Sequence, residues 1–238
     1  MKFSLFTDIG KKRNSNEDNY LIKEEEDYII VAVADGMGGH RAGDVASKMA
    51  VEYLDNYEFN PGSDLLQELR RVIKETNAKI IARGEKSREY AGMGTTLSAA
   101  VIYDMNLYKG HVGDSRIYLY RESELRQLSE DHSLVNELLQ QGRIAKDEVF
   151  NHPQGHILTE ALGIEREPEI DSGEISLQEG DQLLFCTDGL TDMLRPGEIE
   201  AIFNEYTGSV EEISERLGKK ALENGGRDNI TLITGLIT

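Results

Sequence analysis

The 238-residue chain has one cysteine, four prolines and no apolar run near the length of a membrane span. Each shortage narrows the field. A lone thiol, Cys186, excludes an internal disulfide and suits a reducing cytosol. A bilayer-spanning helix needs about 20 apolar residues, so no direct membrane insertion is expected. The opening stretch, MKFSLFTDIGKKRN, holds no long apolar segment and no small-residue cleavage site. It therefore reads as no secretion signal, and the expected location is cytoplasmic. Low-complexity segments, internal repeats and linkers are missing too, so one domain is expected over residues 1–238. Bases are also short: 26 Lys and Arg stand against 44 Asp and Glu, a net charge of −18. Such a chain is repelled by nucleic acid and by anionic membranes. The acidic excess either serves solubility or attracts cations and basic partners, and composition alone leaves both open.

What is there is a soluble, globular pattern, 39% hydrophobic and 29% charged. Lys2–Phe6 and Asn19–Lys23 read as short strands. Tyr28–Ala34 (YIIVAVA) is a continuous β-branched run, as in a strand buried on both faces. A helix is expected over Asp44–Tyr57, with Val45, Met49 and Tyr53 on one stripe. A second helix follows, capped by Ser63, with Leu65, Leu69, Val72, Thr76 and Ile80 at helical spacing. Strands are expected over Thr95–Tyr103, Leu107–Val112, Ser115–Tyr120, Asp181–Thr187 and Ile230–Ile237. Ser133–Gln141 reads as a helix stopped by Gly142. Ser209 and Glu212 form a capping box for a last helix, closed by Gly225-Gly226. Strands come in adjacent pairs and helices come in pairs between them. That order favours an α+β fold, antiparallel sheets flanked by helices, over a doubly wound parallel sheet.

Acids recur at strand ends. Asp35 and Asp188 each follow a strand and precede a glycine; Asp228 precedes the last strand. Glu17 and Asp18 precede the second, and Asp114 lies in a Gly-Asp-Ser turn. In antiparallel sheets the end of one strand adjoins the start of the next, so these acids can meet on one rim. Gathered carboxylates repel and raise one another's pKa, and a hard divalent cation removes that penalty. Oxygen donors suit Mg²⁺ or Mn²⁺ rather than zinc. Gly36 lets a carbonyl approach a metal, while Gly38 and Gly39 permit a tight loop. At any single position Asp-Gly is more often only a turn; the repetition is what weakens that reading. Arg13, beside Asn14, can grip a phosphate with its bidentate fork.

Other chemistries lack their motifs. Cys186 has Asp192 six positions on where a cysteine-dependent phosphatase loop needs Arg, so it reads as a core residue. His152 and His156 are separated by Pro153 and Gly155, a poor zinc pair. No HExxH, Walker A or GxSxG pattern occurs. Gly92–Gly94 more simply allows a turn, and Tyr118 and Tyr120 read as structural.

Eight short motifs then stand in order: TDIGKKRNSNEDNY at 7–20, VADGMGGH at 33–40, MGTT at 93–96, HVGDSRIY at 111–118, DHSLV at 131–135, TEALG at 159–163, CTDGLTD at 186–192 and GGRDNIT at 225–231. As a set, they resemble the metal-dependent type 2C (PPM) serine/threonine protein phosphatases, in the form of a bacterial stand-alone catalytic domain. The resemblance runs essentially end to end. It implies an αββα sandwich with two Mn²⁺ or Mg²⁺ ions at one end of the sheets. By it, Asp35 bridges the metals, Asp188 and Asp228 complete one site, and Glu17 with the Gly36 carbonyl holds the other. Asp18 stands just outside, Arg13 binds the substrate phosphate, and Asp114 and Asp192 join Asp188 at a weaker third metal. It implies in-line attack by a metal-bridged water with no phosphoenzyme, on phosphoserine and phosphothreonine proteins, reversing a cognate Ser/Thr kinase. Two departures stand out: Met37 where many eukaryotic members carry His, with His40 nearby, and Gly155 and Glu160 where bacterial relatives commonly carry bases. A metal-binding docking protein without turnover, and a phosphatase for an anti-sigma antagonist or a small metabolite, are the competing readings. A monomer is expected.

Overall fold

The computed structural model describes residues 1–38, 42–205 and 209–238. Among these, the strands in chain order are β1 (Lys2–Asp8), β2 (Asp18–Glu24), β3 (Ile29–Met37), β4 (Gly94–Thr95), β5 (Leu97–Tyr103), β6 (Asn106–Val112), β7 (Arg116–Arg121), β8 (Glu124–Gln127), β9 (Asp171–Ser176), β10 (Gln182–Cys186) and β11 (Ile230–Leu236). The helices are α1 (Ala42–Asp55), α2 (Leu65–Glu85), α3 (Leu134–Gln140), α4 (Asp188–Thr191), α5 (Pro196–Glu205) and α6 (Val210–Glu223).

Side chains on a strand alternate between faces. Along β3, Ile30, Ala32 and Ala34 join one apolar cluster, and Val31 and Val33 join another. Both faces of this strand must therefore be covered. One is covered by α1 and α2, and the other by a second sheet. The first sheet runs β2-β3-β5-β6-β9, with β4 paired to the end of β3; the second runs β1-β11-β10-β7-β8. The named pairings are all antiparallel. Between the sheets, Val31, Val33 and Ala100 meet Ile117, Leu183, Phe185 and Ile233. On the outer face of the second sheet, Tyr118, Leu184 and Leu232 pack under α5 and α6. Burying a side chain such as Ile30 or Leu183 stabilises by about 1.5–3 kcal/mol. The interleaved rows, rather than helix propensity, thus fix the layers as the expected αββα sandwich.

Several local expectations shift. The second helix is capped by Asp64, whose Oδ1 accepts the Gln67 N–H at 3.0 Å, while the Ser63 hydroxyl donates to Asn60 and Glu68 instead. The first helix starts at Ala42, two residues early, and ends at Asp55. Its buried stripe is the small one, Ala42, Ala46 and Ala50 with Leu54, and Val45, Met49 and Tyr53 pack only at the margin. Small residues there let α1 lie close on β3. The strand expected over Thr95–Tyr103 breaks at Thr96 into β4 and β5. β8, β9, α4 and α5 are additions to the sequence reading. Tyr118 and Tyr120 are core residues, as expected.

Candidate active site

The acids do meet on one rim. β2 and β3 pair with Asp18 opposite Asp35, so two carboxylates start as cross-strand neighbours. β3 continues through Asp35 to Met37, rather than ending at it. Thr96 holds this extension: its Oγ1 accepts the Asp35 N–H at 2.9 Å and its N–H donates back to the Asp35 carbonyl at 2.9 Å. From the other sheet, β10 delivers Thr187 and Asp188. Thr187 Oγ1 donates across the sandwich to Asp18 Oδ2 at 2.9 Å. The Asp35 and Asp188 carboxyls lie within hydrogen-bonding reach of each other. One turn of helix on, Asp192 donates its N–H to the Asp188 carbonyl at 2.8 Å.

The loop before β2 is fastened by a residue that the sequence reading passed over. Asn229 Oδ1 accepts the Glu17 N–H at 2.8 Å, and its Nδ2 donates to the Ile9 and Ser15 carbonyls, each at 2.9 Å. Its neighbour Asp228 accepts from Arg13 Nη2 at 2.5 Å. Arg13 remains 57% exposed, so its guanidinium sits at the rim with donors to spare. Gly43 was also missed. A Cβ on Gly43 would lie 2.0 Å from Glu17 Oε2 and 2.6 Å from the Gly36 carbonyl oxygen. Those two oxygens converge over one bare α-carbon, a cradle that a single methyl group would fill. Asp114 lies in the turn between β6 and β7. Its turn is pinned by His132, which donates its N–H to the Gly113 carbonyl at 2.7 Å and accepts the Gly113 N–H on Nδ1 at 3.2 Å.

The electrostatics are those of crowded acids with too little counter-charge: Arg13 pulls Glu17 and Asp188 down and Arg116 does the same for Asp114 and Asp192, yet all four stay raised. Burial pushes Asp18 up to about 7, offset in part by hydrogen bonds from Thr231 and Thr187. Burial, then repulsion from Asp192, pushes Asp188 up to about 7. Asp35 stands well above the usual carboxylate range through burial and repulsion from Asp188 and Asp18. Asp114 does so through burial and Asp188. Glu17 and Asp192 are raised by burial first. Two buried carboxylate oxygens, Asp18 Oδ1 and Asp188 Oδ1, have no hydrogen-bond partner among the described residues. An orphaned buried carboxylate oxygen costs about 1–3 kcal/mol or more, and a cation removes that cost. These donors fit hard divalent cations. As the side chains stand, no three acidic, His or Cys groups among the described residues close into a cage.

The rim opens into a cavity of about 770 Å³, walled by α3, residues 149–156 and the chain around α4 and α5. Asp114, Asp188 and Asp192 line it, as do His152, Gly155 and His156. Glu160 instead accepts the Glu169 N–H at 3.3 Å. Cys186 is buried in the core, its thiol pushed up to about 12 by burial. Gly39 and His40 lie outside the described residues.

The Protein phosphatase 2C family model matches residues 10–224. The chain belongs to that family. It is 45% identical over 233 residues to "Serine/threonine phosphatase stp" of Listeria welshimeri, covering 95% of this chain and 92% of that one. It superposes on the S. agalactiae serine/threonine phosphatase with a TM-score of 0.90 at 38% identity, covering 100% and 99% of the two chains. The catalytic domain of the phosphatase PstP, solved in complex with two manganese ions, matches with a TM-score of 0.87 at 34% identity over 100% and 98%. The chain is thus a protein-serine/threonine phosphatase, acting on phosphoproteins. No described helix of this phosphatase is long and apolar enough to cross a membrane.

Proposed function

We propose that this phosphatase works with two Mn²⁺ or Mg²⁺ ions. Asp35 serves both, Asp188 and Asp228 complete one site, and Glu17 with the Gly36 carbonyl completes the other. Asp18 stands outside them, and Asp114 and Asp192, with Asp188, hold a third, weaker ion. The observation carrying this is the pair of orphaned buried oxygens on Asp18 and Asp188, from opposite sheets, together with the cradle that Gly43 leaves for Glu17 and the Gly36 carbonyl. The PstP complex with manganese supports the same reading. When bound, such ions neutralise the carboxylates and make water a better nucleophile at neutral pH.

Arg13 binds the phosphoryl oxygens of phosphoserine or phosphothreonine. One of its five N–H groups is held by Asp228, which aims the fork, and the exposed remainder faces the substrate. That guanidinium also offsets the charge of the phosphoryl group in the transition state. Hydrolysis proceeds by direct in-line displacement without a phosphoenzyme, and the one thiol, buried and held protonated, agrees with that. The enzyme acts in the cytoplasm as a monomer and reverses the signals of a Ser/Thr kinase. Asp35→Asn and Asp188→Asn should each abolish most turnover while circular dichroism shows a retained fold. Near-normal turnover by folded Asp188→Asn overturns the site assignment.

A further inference from the structure

The cavity is much larger than a phosphoryl group needs. Its roughly 770 Å³ is the size of a site for a substantial ligand. One end is the carboxylate cluster. The rest has a different character. Asp131, at its edge, is committed to Arg116, accepting from Nε at 3.0 Å and Nη2 at 2.6 Å. Glu198 accepts the Arg195 N–H at 2.9 Å. Lys146, Arg195 and Arg227 line the same space, and none has a carboxylate partner among the described residues. The Arg195 guanidinium lies over the Phe150 ring, 4.5 Å from its centroid, and makes no ion pair among the described residues. Leu139, Val149 and Met193 give the wall an apolar component. In a chain of net charge −18, this is a local reversal of sign directly beside the candidate catalytic rim.

We propose that this groove is a substrate subsite that selects phosphoproteins with acidic residues flanking the phosphorylated Ser or Thr, reading their carboxylates with Arg195 and Lys146. The proposal rests on the phosphatase reading. Charge complementarity decides the occupant. A basic flank would meet Lys146, Arg195 and Arg227, whereas an acidic flank meets three cations that have no salt-bridge partner among the described residues. An exposed ion pair contributes about 0.2–1 kcal/mol, so two contacts amount to about a two- to thirtyfold preference.

The test uses the full chain with Mn²⁺ and three phosphothreonine peptides that differ only in having Asp, Ser or Lys on either side. The expected kcat/KM order is Asp above Ser above Lys, with the Asp-to-Ser ratio at about two to thirty. The ratio should collapse towards one in about 1 M salt, where the Debye length is about 3 Å. It should fall below one in Arg195→Glu and, independently, in Lys146→Glu; both positions are exposed, so the fold is not at stake. A wild-type ratio of one, or a ratio unchanged in both variants, overturns the subsite. Wild-type turnover of para-nitrophenyl phosphate separates the two claims. If that ester and all three peptides are inert, the phosphatase reading fails and the subsite falls with it. Equal turnover of the three peptides sinks the subsite alone.

Discussion

Gly43→Ala adds one methyl group in the first turn of α1. By helix propensity alone the change should stabilise, since Ala is better than Gly in a helix by about 1 kcal/mol. The surroundings dictate the opposite. The new Cβ would stand 2.0 Å from Glu17 Oε2, and contacts under 3.0 Å are essentially never seen, so Glu17 must retreat by at least about 1 Å. The Gly36 carbonyl oxygen, 2.6 Å from the same point, is backbone and gives less easily. Overpacking of this kind costs about 1–3 kcal/mol, or a fall in Tm of roughly 2–10 °C for a domain of this size. A donor moved by about 1 Å is enough to cost about 100-fold in rate. The expected outcome is a folded protein in which one Mn²⁺ binds as before and the other binds about 10- to 100-fold more weakly, as when a supporting shell is disturbed. Calorimetric titration with Mn²⁺ reads the stoichiometry directly, and circular dichroism reads Tm. Gly197→Ala, in α5, is the control: nothing lies within 4 Å of a Cβ there, so it should be neutral or mildly stabilising. Two Mn²⁺ sites of wild-type affinity in Gly43→Ala would refute the cradle.

Three other outcomes follow from buried charge. Asp188 has its pKa raised to about 7 in the folded chain, so its contribution to stability is full below the ordinary 3.8 and is lost as pH rises through 7. Metal-free Asp188→Asn should therefore melt several degrees above metal-free wild type at pH 8 and level with it near pH 4; an equal Tm at pH 8 contradicts this. His111 is the reverse case. Its Nε2–H donates to the Gly113 carbonyl at 2.9 Å, Nδ1 bonds Ser98 Oγ at 2.8 Å, and burial lowers it to about 4. The unfolded chain takes up that proton first, so this stabilisation is full above about 6.5 and shrinks as pH falls towards 4, by about 2 kcal/mol at pH 5. Urea unfolding at pH 7 and pH 5 should show the wild type losing that much more than His111→Asn. Finally, Asp131→Ala removes the carboxylate partner of Arg116, whose side chain is 19% exposed and lines the cavity, and should cost about 1–3 kcal/mol in the same urea assay; a loss below about 0.5 kcal/mol would show that pair to be solvated.

The sequence made the rim legible because its acids break strong strands. Asp35 and Asp188 stand out against VAVA and LLFC; antiparallel pairing sets Asp35 opposite Asp18, and the packing of the two sheets brings Asp188 to the same rim. The existence of α1, α2, α3 and α6 was legible from apolar spacing and caps, whereas α4, a single turn, and α5 were not. Edges were not: Asp64 and Ser63 are equally good caps, and only the Gln67 N–H chooses between them. The buried face of α1 was misjudged because its alanines carry little apolar signal, although their size is what admits the sheet. β8 follows a two-residue turn at Glu122-Ser123, with φ of 53° and 67°, that lacks the usual Asn or Gly marker. β9, DSGEIS, is an edge strand with a single large apolar residue. Asn229, Gly43 and the basic groove act through contacts between distant segments, so nothing local announces them.

The most direct measurement is phosphate release from a phosphothreonine peptide by metal-stripped protein, with and without added Mn²⁺. Release only with Mn²⁺, quenched by chelator, is the predicted result. Equal release by protein shown to be metal-free, or none from folded protein shown to bind Mn²⁺, would contradict the account.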